Sequence, residues 1–371
     1  MGYLRPDGQI GIRNKVSIIY TTDCSRVVAQ KLQTLFPVGT QVFGYPGGCA
    51  LREGPFHKIV ALGTHSSSAA ALVVGLGCEG TDAYMVADEI NKSGRSVEAI
   101  KINEQGGDLG TIEKGSRILV KLIQHASTAE RAKMTPADLI VGQECGGSDA
   151  TSGLASNPIT GVAADLLIEA GGTYMHAEAV ELLGCADILA KRAVNEQVAR
   201  EVKELIEEAE RRCFERGRFS WGYGNIMGGL TSIEEKSYGC LSKSGTRPLQ
   251  GVLRRYALPP GKGYYLQVGE PESGFFHGDP EGINQFAAHC AHIGLFTTGC
   301  GATTGGLIPV IKIIANPRRM QLIADHADFD ATPVIRGEKT IQEMGEELYA
   351  EILAVAAGKL TKSEIFGHYE A

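Results

Sequence analysis

Residues 139–153 read LIVGQECGGSDATSG, a short apolar run that ends in a cysteine and continues as a turn of glycine and small polar residues. The same order of features recurs in SIIYTTDCS (17–25), ALVVGLGCEG (71–80) and LFTTGCGATTGG (295–306). Short, continuous apolar runs are typical of strands that are buried on both faces of a parallel sheet. The repeated pattern therefore predicts parallel strands that end in glycine-rich turns.

The rest of the chain alternates in the same way between apolar runs and segments with helical periodicity. The predicted strands are residues 16–21, 41–44, 71–75, 97–102, 138–142, 172–176, 263–268, 294–297 and 309–314, and the predicted helices are residues 25–36, 111–125, 158–170, 185–216, 282–291 and 340–357. Buried strands that alternate with helices indicate an α/β protein. We predict two Rossmann-like α/β units with largely parallel sheets and glycine-rich loops at the carboxyl ends of the strands.

Polar interruptions suggest where these units begin and end. The polar stretch 127–136 separates an N-terminal α/β unit, residues 1–130, from a C-terminal α/β unit, residues 131–371. Residues 217–255 form a second interruption, which we interpret as a long glycine-rich excursion inside the second unit. Long excursions of this kind in a compact domain are usually functional.

Composition excludes several classes of protein. The 371 residues include 36 basic and 43 acidic side chains, so the formal charge is −7, which argues against binding of nucleic acid through general electrostatics. No apolar run approaches the roughly 18 residues of a membrane span, and the start lacks the apolar core of a signal peptide. We expect a cytoplasmic protein without membrane or nucleic-acid partners. Glycine supplies 48 residues, about twice its usual share, and this excess needs a local explanation.

Cysteines follow several of the predicted strands. Cys24, Cys78, Cys145 and Cys300 end strong apolar runs, and Cys49 follows a weaker one in GYPGGCA. In open α/β sheets the ligand crevice lies beyond the carboxyl ends of the strands, so these turns are expected to line one site. Thiolates there could hold a soft metal or an iron–sulfur centre, or one cysteine could act as base or nucleophile, whereas plain packing is the alternative. No CxxC pair exists, so spacing alone assigns no ligand set.

One glycine turn also fits a dinucleotide fingerprint. Gly75, Gly77 and Gly80 form GxGxxG between a predicted strand and a helical stretch, and Glu104 ends the next predicted strand. This is the context that a dinucleotide-binding site requires. An oxidoreductase that depends on NAD or NADP is therefore an alternative, although the turns at Cys145 and Cys300 share the pattern without being fingerprints.

Two further motifs have unusual composition. The first, ECGGSDATSG (144–153), precedes a predicted helix and suits capture of a carboxylate or phosphate by backbone amides and hydroxyls, with an ordinary capped helix start as the alternative. The second, NIMGGLTSIEEKSYGCLSKSG (225–245), places Lys236 beside two glutamates. A lysine among carboxylates can serve in proton transfer, whereas a solvated charged triplet is the alternative.

Taken together and in this order, these motifs make the chain resemble the altronate and galactarate dehydratase family, which also contains the large subunit of sulfolactate sulfo-lyase. The matching stretches are GYLRPDGQIGIRN (2–14), TTDCS (21–25), GLGCE (75–79), ECGGSDATSGLASNP (144–158), EAGGT (169–173), GGLTSIEEKSYG (228–239), LFTTGCGATTGG (295–306) and PVIRGEKTIQEMGEEL (333–348). The resemblance implies a lyase that acts on a small hydroxy acid and depends on iron, as Fe²⁺ or an iron–sulfur centre. It also implies a separate small partner subunit, because family members carry or pair with a small domain that precedes this region. We further expect a homo-oligomer.

The chain departs from the family pattern at three places. Tyr45 and Pro46 stand near Cys49 where the family has a histidine and glycines, QVGEPESG (267–274) replaces an aspartate-bearing segment, and Cys300 occupies the position of an arginine. Arginine is the natural partner of a substrate carboxylate, so the last change bears on the substrate.

The implied reaction removes the proton alpha to a carboxylate and expels a group from the beta carbon. Loss of water from a sugar acid gives a 2-keto-3-deoxy acid, and loss of sulfite from sulfolactate is the alternative. The chemistry needs a base, positive charge at the carboxylate, and an acid or metal at the leaving group. A non-catalytic binding subunit is a further alternative.

These requirements assign roles to residues of the matching motifs. We expect metal binding by a subset of Cys24, Cys49, Cys78 and Cys145, substrate binding by Arg13, Gly146, Gly147, Ser148, Asp149, Gly228, Gly229 and Thr231, and catalysis by Lys236 as base with Glu234 or Glu235 assisting. His57 and His65 are alternative bases.

Overall fold

A computed structural model describes residues 1–177, 179–217, 223–268 and 278–369 of the chain. The chain divides into two units. The first comprises Met1–Met134 with Ala287–His292 and Tyr369, and the second comprises Thr135–Phe286 and Ile293–His368. In the described ranges, no helix combines the length and the apolar character that crossing a membrane requires.

The first unit is built on a four-stranded parallel sheet. Its elements are β1 (Gly2–Leu4), β2 (Ile10–Gly11), β3 (Lys15–Tyr20), α1 (Asp23–Leu35), β4 (Thr40–Gly44), α2 (Glu53–Gly63), β5 (Ser68–Gly75), α3 (Ala83–Asn91), β6 (Ser96–Lys101), α4 (Asp108–Ser127) and β7 (Arg131–Ala132). The sheet order is β4-β3-β5-β6, and a small antiparallel sheet has the order β2-β1-β7. Every residue of β5 is buried, as its continuous apolar sequence predicts.

The second unit contains a seven-stranded parallel sheet. Its elements are β8 (Ile140–Cys145), α5 (Asn157–Glu169), β9 (Thr173–His176), α6 (Ala186–Lys191), α7 (Glu196–Arg216), α8 (Tyr223–Met227), α9 (Ile233–Ser242), β10 (Leu249–Arg254), β11 (Gly263–Val268), α10 (Asp279–Ala288), β12 (Ile293–Thr297), β13 (Val310–Ile314), α11 (Pro317–Leu322), β14 (Phe329–Asp330), α12 (Thr332–Ile335), α13 (Ile341–Ala356) and α14 (Lys362–Phe366). The sheet order is β10-β11-β9-β8-β12-β13-β14. The strands β8, β12 and β13 are buried almost throughout.

The predicted α/β class with largely parallel sheets is confirmed. Two predictions differ in detail from the structure. The predicted helix 185–216 is two helices, because Asn195 caps α7 by accepting a hydrogen bond from the Val198 amide. The predicted excursion 217–255 holds α8, α9 and the edge strand β10, while residues 218–222 lie outside the described ranges.

Each parallel sheet has a point where the strand order reverses. In the first unit the chain passes from β4 across β3 to β5, and in the second unit β8 is flanked by β9 on one side and β12 on the other. Ligand crevices in open α/β sheets lie beyond the carboxyl ends of the strands at such points. The turns that follow β3 and β5, and those that follow β8 and β12, are thus the places to look for a site.

Candidate active site

The turn after β8 is held against the turn after β12. The Gly146 amide donates to the Thr297 carbonyl at 3.0 Å, and the amides of Gly299 and Cys300 donate to the Gly147 carbonyl at 2.9 and 3.0 Å. A Cβ atom on Gly146 would lie 2.8 Å from the Phe296 ring, so only glycine fits. Gly146, predicted to offer its amide to a substrate, instead uses that amide inside the turn.

Asp149 anchors the same turn from within. Its carboxylate accepts hydrogen bonds from the Thr151 hydroxyl at 2.7 Å, the Ser152 amide at 3.0 Å and the Asn316 side-chain amide at 2.6 Å. It is buried, and polar donors surround it. These three hydrogen bonds indicate that Asp149 serves mainly to hold the turn in place.

Helix α9 carries Lys236 to this turn. The Ser232 hydroxyl caps α9 by accepting from the Glu235 amide at 3.2 Å, and the Glu235 carboxylate accepts from the Thr231 amide at 2.7 Å. These caps fix the first turn of the helix. They leave Lys236 facing inward with only 7% of its surface exposed, whereas Glu234 is exposed.

The carboxylate that pairs with Lys236 is Glu181, which lies in the short helical turn Ala179–Glu181. Lys236 Nζ is 2.6 Å from Glu181 Oε1, and Lys243 Nζ is 3.5 Å from Glu181 Oε2. The Cys145 thiol donates to Glu181 Oε2 at 2.7 Å. Glu181 is 4% exposed, so these interactions are largely shielded from water.

The lysines set the charge of this cluster. Burial would by itself raise the pKa of Glu181, but the Lys236 and Lys243 ammonium groups hold that pKa well below its ordinary value. Asp279, at the start of α10, behaves in the opposite way, since burial and then the Glu181 charge raise its pKa. Two carboxyl groups whose pKa values are pushed apart are typical of acid–base sites.

A cavity of about 300 Å³ opens beside Lys236. Its walls come from the turn after β8, the start of α5 and helix α9, and they include Ser148, Asp149, Asn157, Lys236 and Tyr238. This volume is at the lower end for small-molecule sites. The cavity suits a small polar ligand that meets an ammonium group, a hydroxyl and a side-chain amide.

A buried polar chain lies behind the ion pair. His176 Nε2 is 3.3 Å from Cys240 Sγ, and His176 Nδ1 is 3.4 Å from the Tyr264 hydroxyl. Burial, with the nearby Lys243 charge, lowers the pKa of His176 to about 3. The imidazole is therefore neutral at physiological pH and adds no further positive charge to the cluster.

The structure brings several predicted residues together in the second unit. Ser148, Asp149, Glu235 and Lys236 all border the cavity. Gly228 packs against the same turn, because the Ala150 amide donates to its carbonyl at 3.3 Å and a Cβ atom there would lie 2.8 Å from the Ser148 carbonyl oxygen. Gly229 has a φ of +89°, a left-handed conformation that glycine favours. Gly228 thus packs against the turn that borders the cavity, while the catalytic roles of Lys236, Glu234 and Glu235 stay predictions.

Other predicted residues lie elsewhere in the first unit. Arg13 precedes β3, at the amino edge of the sheet, and its carbonyl accepts from the Arg5 guanidinium at 2.9 Å. His65 is fully buried, with Nε2 2.8 Å from the Ala291 carbonyl and Nδ1 accepting from the Ser67 amide at 3.0 Å. Both ring nitrogens are engaged and burial lowers the pKa of His65 to about 3, so it holds structure and is not a free base. His57 is exposed on α2.

The turn after β5 does not offer the amides that a dinucleotide needs. The Glu79 carboxylate accepts from the amides of Leu76, Gly77 and Cys78 at 3.1, 2.7 and 3.0 Å. The Asp82 carboxylate likewise accepts from the first amides of α3. A pyrophosphate binds at such amides, and both sets are occupied by side chains of the protein. The structure therefore argues against the oxidoreductase alternative.

The described residues do not include a grouped set of ligands for a single metal ion. In the part of the chain that the structure describes, no three or more His, Cys, Asp or Glu side chains are grouped to hold one ion. Cys24, Cys49 and Cys78 are exposed at the carboxyl edge of the first sheet, whereas Cys145 is buried. The ligand set predicted from the resemblance stays a prediction, and it does not fit a mononuclear site.

Three residues of the site were not predicted from sequence. Glu181 lies in the apolar run AVELLG, Lys243 follows α9, and Asp279 begins α10. An acidic residue isolated in an apolar run is the one signal that could have identified Glu181, because buried carboxylates need a charged partner. Neither Lys243 nor Asp279 has such a signal.

Comparisons with known proteins agree with the motifs. Residues 136–371 match the profile described as D-galactarate/altronate dehydratase, C-terminal, and residues 2–127 match the profile described as D-galactarate dehydratase/altronate hydrolase, second domain. The (2R)-sulfolactate sulfo-lyase subunit beta of Chromohalobacter salexigens is 33% identical over all of this chain and 95% of its own length. Altronate dehydratase of Bacillus subtilis is 28% identical over 98% of this chain and 75% of its own length. Galactarate dehydratase (L-threo-forming) of Escherichia coli is 33% identical over 78% of this chain and 56% of its own length.

Proposed function

The chain belongs to the D-galactarate/altronate dehydratase family, and on that basis we propose that it is a hydro-lyase that removes water from a sugar acid to give a 2-keto-3-deoxy acid. The observation that carries the proposal is the buried Lys236–Glu181 ion pair, 2.6 Å long, at the border of a small polar cavity. The relatives named as dehydratases support the same class of reaction.

The cavity meets the electrostatic need of this elimination. As the alpha proton leaves, the substrate carboxylate gains enediolate character and therefore negative charge. Lys236 lies at the cavity wall in a buried cluster, where an oriented ammonium group stabilises such charge more strongly than it would in water. The Ser148 hydroxyl and the Asn157 amide, also in the wall, supply polar partners for substrate oxygens.

The Lys236–Glu181 ion pair helps to decide which group removes the alpha proton of the substrate. A carboxylate 2.6 Å away favours the ammonium form of Lys236, and an ammonium group cannot accept a proton. Asp279 interacts electrostatically with both Glu181 and Lys236, and its raised pKa makes it a stronger base than an ordinary carboxylate. In the proposal, Lys236 binds and stabilises the carboxylate, and Asp279 is the base.

The family resemblance also implies iron, which when bound would supply Lewis-acid chemistry. In the described residues no three or more His, Cys, Asp or Glu side chains are grouped to hold one ion, so no step of the proposed reaction is assigned to iron. The protein's own part is to hold the substrate carboxylate at Lys236 and to shape the cavity with the turn after β8.

Loss of sulfite from sulfolactate is the second candidate reaction. It is favoured by the relative named as a sulfo-lyase subunit beta, which matches the chain over 95% of its own length. Cys300, in the position where the family pattern has an arginine, is consistent with a changed substrate. A relative named as a subunit belongs to a multi-subunit protein, and in the proposal this chain likewise works with a separate small subunit.

An anaerobic screen tests the proposed function. The chain, with ferrous iron and with or without a candidate small subunit, is offered aldonates, aldarates and sulfolactate, and 2-keto acid formation is measured. We expect 2-keto acid from at least one sugar acid. Formation of pyruvate and sulfite from sulfolactate alone would select the second candidate, and no product from any of these acids would contradict both.

A further inference from the structure

The first unit has a cavity of its own, with a volume of about 380 Å³, at the amino edge of the four-stranded sheet. Its walls come from the start of the chain, from β5 at Ala69, from Arg95 just before β6, and from the end of α4. Ligand sites in open α/β sheets are expected beyond the carboxyl ends of the strands. The sheet topology therefore does not account for this cavity, and its side chains have to explain it.

Two buried arginines border the cavity. Arg5 is 3% exposed and Arg95 is 1% exposed. Burial, and then the charge of Arg95, lower the pKa of Arg5 to about 10, so both guanidinium groups are cations at physiological pH and repel each other. A buried charge costs free energy unless it is paired. The partners of these two cations therefore decide what the cavity can hold.

Backbone carbonyl groups hold both guanidinium groups in place. Arg5 Nε donates to the Ser66 carbonyl at 2.6 Å, and Arg5 Nη2 donates to the Arg13 carbonyl at 2.9 Å. Arg95 Nε donates to the Ser68 carbonyl at 3.0 Å. A carbonyl oxygen accepts a hydrogen bond but carries no net charge. These contacts thus fix the positions of the two cations without neutralising them.

Each guanidinium group keeps N–H donors for a further partner. Arg5 Nη1 donates to Asn14 Oδ1 at 2.8 Å, Arg95 Nη1 donates to Asp7 Oδ2 at 2.5 Å, and Arg95 Nη2 donates to the His65 carbonyl at 3.4 Å. Within the described residues, each arginine therefore uses one N–H on each of its three nitrogens. A guanidinium group has five N–H donors, so two remain on each side chain.

Acidic side chains do not balance the positive charge. In the described part of the chain, Asp7 is the one carboxylate within 4 Å of either guanidinium group. Glu130 also borders the cavity, but it is exposed and lies beyond that distance. The carbonyl groups at the end of α4 add roughly half an elementary charge of negative potential, which does not offset a full one. Positive charge thus stays in excess beside the cavity.

We propose that this cavity binds a small anion whose carboxylate or phosphate group lies between Arg5 and Arg95. Guanidinium groups match both kinds of oxyanion through paired N–H donors. Leu4, Pro6 and Ala69 form apolar parts of the wall, where the organic body of such an anion can pack. The volume is at the lower end for small-molecule sites. All bordering residues belong to the first unit, so the proposal does not depend on the proposed lyase.

Calorimetric titration of the full chain tests the proposal. The probes are inorganic phosphate, glycerol 3-phosphate and pyruvate, and each is titrated into the wild type and into Lys236→Met, which lacks the ammonium group of the cavity in the second unit. We expect saturable binding of at least one probe to both proteins, with an affinity that falls as the salt concentration rises. The probe that binds most tightly tells a phosphate ligand from a carboxylate ligand.

Two variants locate the bound anion. Arg5→Met removes one guanidinium group and is expected to weaken binding about ten- to a hundredfold. Ala129→Phe keeps both arginines but places a ring in the cavity, so it should abolish binding and decides the matter if Arg5→Met does not fold. Arg117→Met, at an exposed position of α4, is the matched control and should keep the wild-type affinity. Thermal melts without ligand show which variants fold.

Three results would overturn the proposal. They are the absence of saturable binding for every probe, wild-type affinity in Ala129→Phe or in a folded Arg5→Met, and a loss of binding in Lys236→Met as large as the loss expected for Arg5→Met. The last result would place the anion in the second unit. Formation of 2-keto acid is measured separately, so failure of this site and failure of the proposed function are distinguishable.

Discussion

Replacing Lys236 by methionine is expected to lower kcat/KM for hydroxy-acid elimination by about 10²- to 10⁴-fold. The change keeps the aliphatic stem, removes the ammonium group at the cavity wall and leaves Glu181 without its nearest cation. Initial rates of 2-keto acid formation measure the effect. Lys191→Met, which changes an exposed lysine of α6, is the matched control and is expected to retain wild-type rates.

Lys236→Arg separates the two roles for this lysine. Arginine keeps the charge but does not act as a base in proteins, so the variant should retain more activity than Lys236→Met if Lys236 stabilises the carboxylate. If instead Lys236→Arg is as inactive as Lys236→Met, Lys236 is the base. Asp279→Asn is then expected to be active, whereas our proposal predicts a loss comparable with that of Lys236→Met.

Replacing Glu181 by glutamine is expected to lower the free energy of unfolding of the second unit by about 3–5 kcal/mol, because removing one partner of a buried ion pair leaves uncompensated charge. The lysines concerned, Lys236 and Lys243, are both almost fully buried. Hydrogen–deuterium exchange of peptides from β8 and β9 reports on this unit specifically and should show faster exchange. Glu204→Gln, at an exposed position of α7, is the control and should change little.

The dependence of stability on pH provides a second test of the Glu181 cluster. The pKa of Glu181 is lower in the folded protein than in the unfolded chain, where it is about 4.3. Its contribution is therefore complete above pH 5 and is lost as pH falls toward the folded pKa. The wild type should lose more stability than Glu181→Gln between pH 5 and pH 3. Equal losses in the two proteins would contradict the strong ion pair.

Much of the fold could be predicted because its strands are buried on both faces. Such strands read as continuous apolar runs, and β5 and β12 are examples in which every residue is buried. The strands that were missed, such as β2 and β14, have two residues each and no periodicity to detect. The break between α6 and α7 depends on one capping asparagine, Asn195, inside a run of otherwise helical residues.

The site could be predicted only where its residues are close together in the sequence. The turn after β8 and the helix with Lys236 stand out because glycines and charges cluster there, and both border the cavity. Glu181 was missed because its partner is 55 positions away in the chain, and only the folded sheet brings the two together. The sequence favours the adjacent Glu234 and Glu235 as the carboxylates that act with Lys236. In the structure Glu234 is exposed, and the Glu235 carboxylate accepts a hydrogen bond from the Thr231 amide at the start of α9.

Arg13 lies in the matching stretch GYLRPDGQIGIRN, from which we predict a partner for a substrate carboxylate. In the structure Arg13 is buried and precedes β3, at the amino edge of the first sheet. Its role in substrate binding stays a prediction.

Running the reaction in D₂O and locating deuterium in the product by NMR tests the proposed elimination most directly. Elimination gives an enol that takes a proton from solvent, so the 2-keto acid should carry one solvent-derived deuterium at C3. A 2-keto acid without deuterium at C3 would mean that the hydrogen moves within the substrate, as in a hydride shift, and would contradict the proposed elimination.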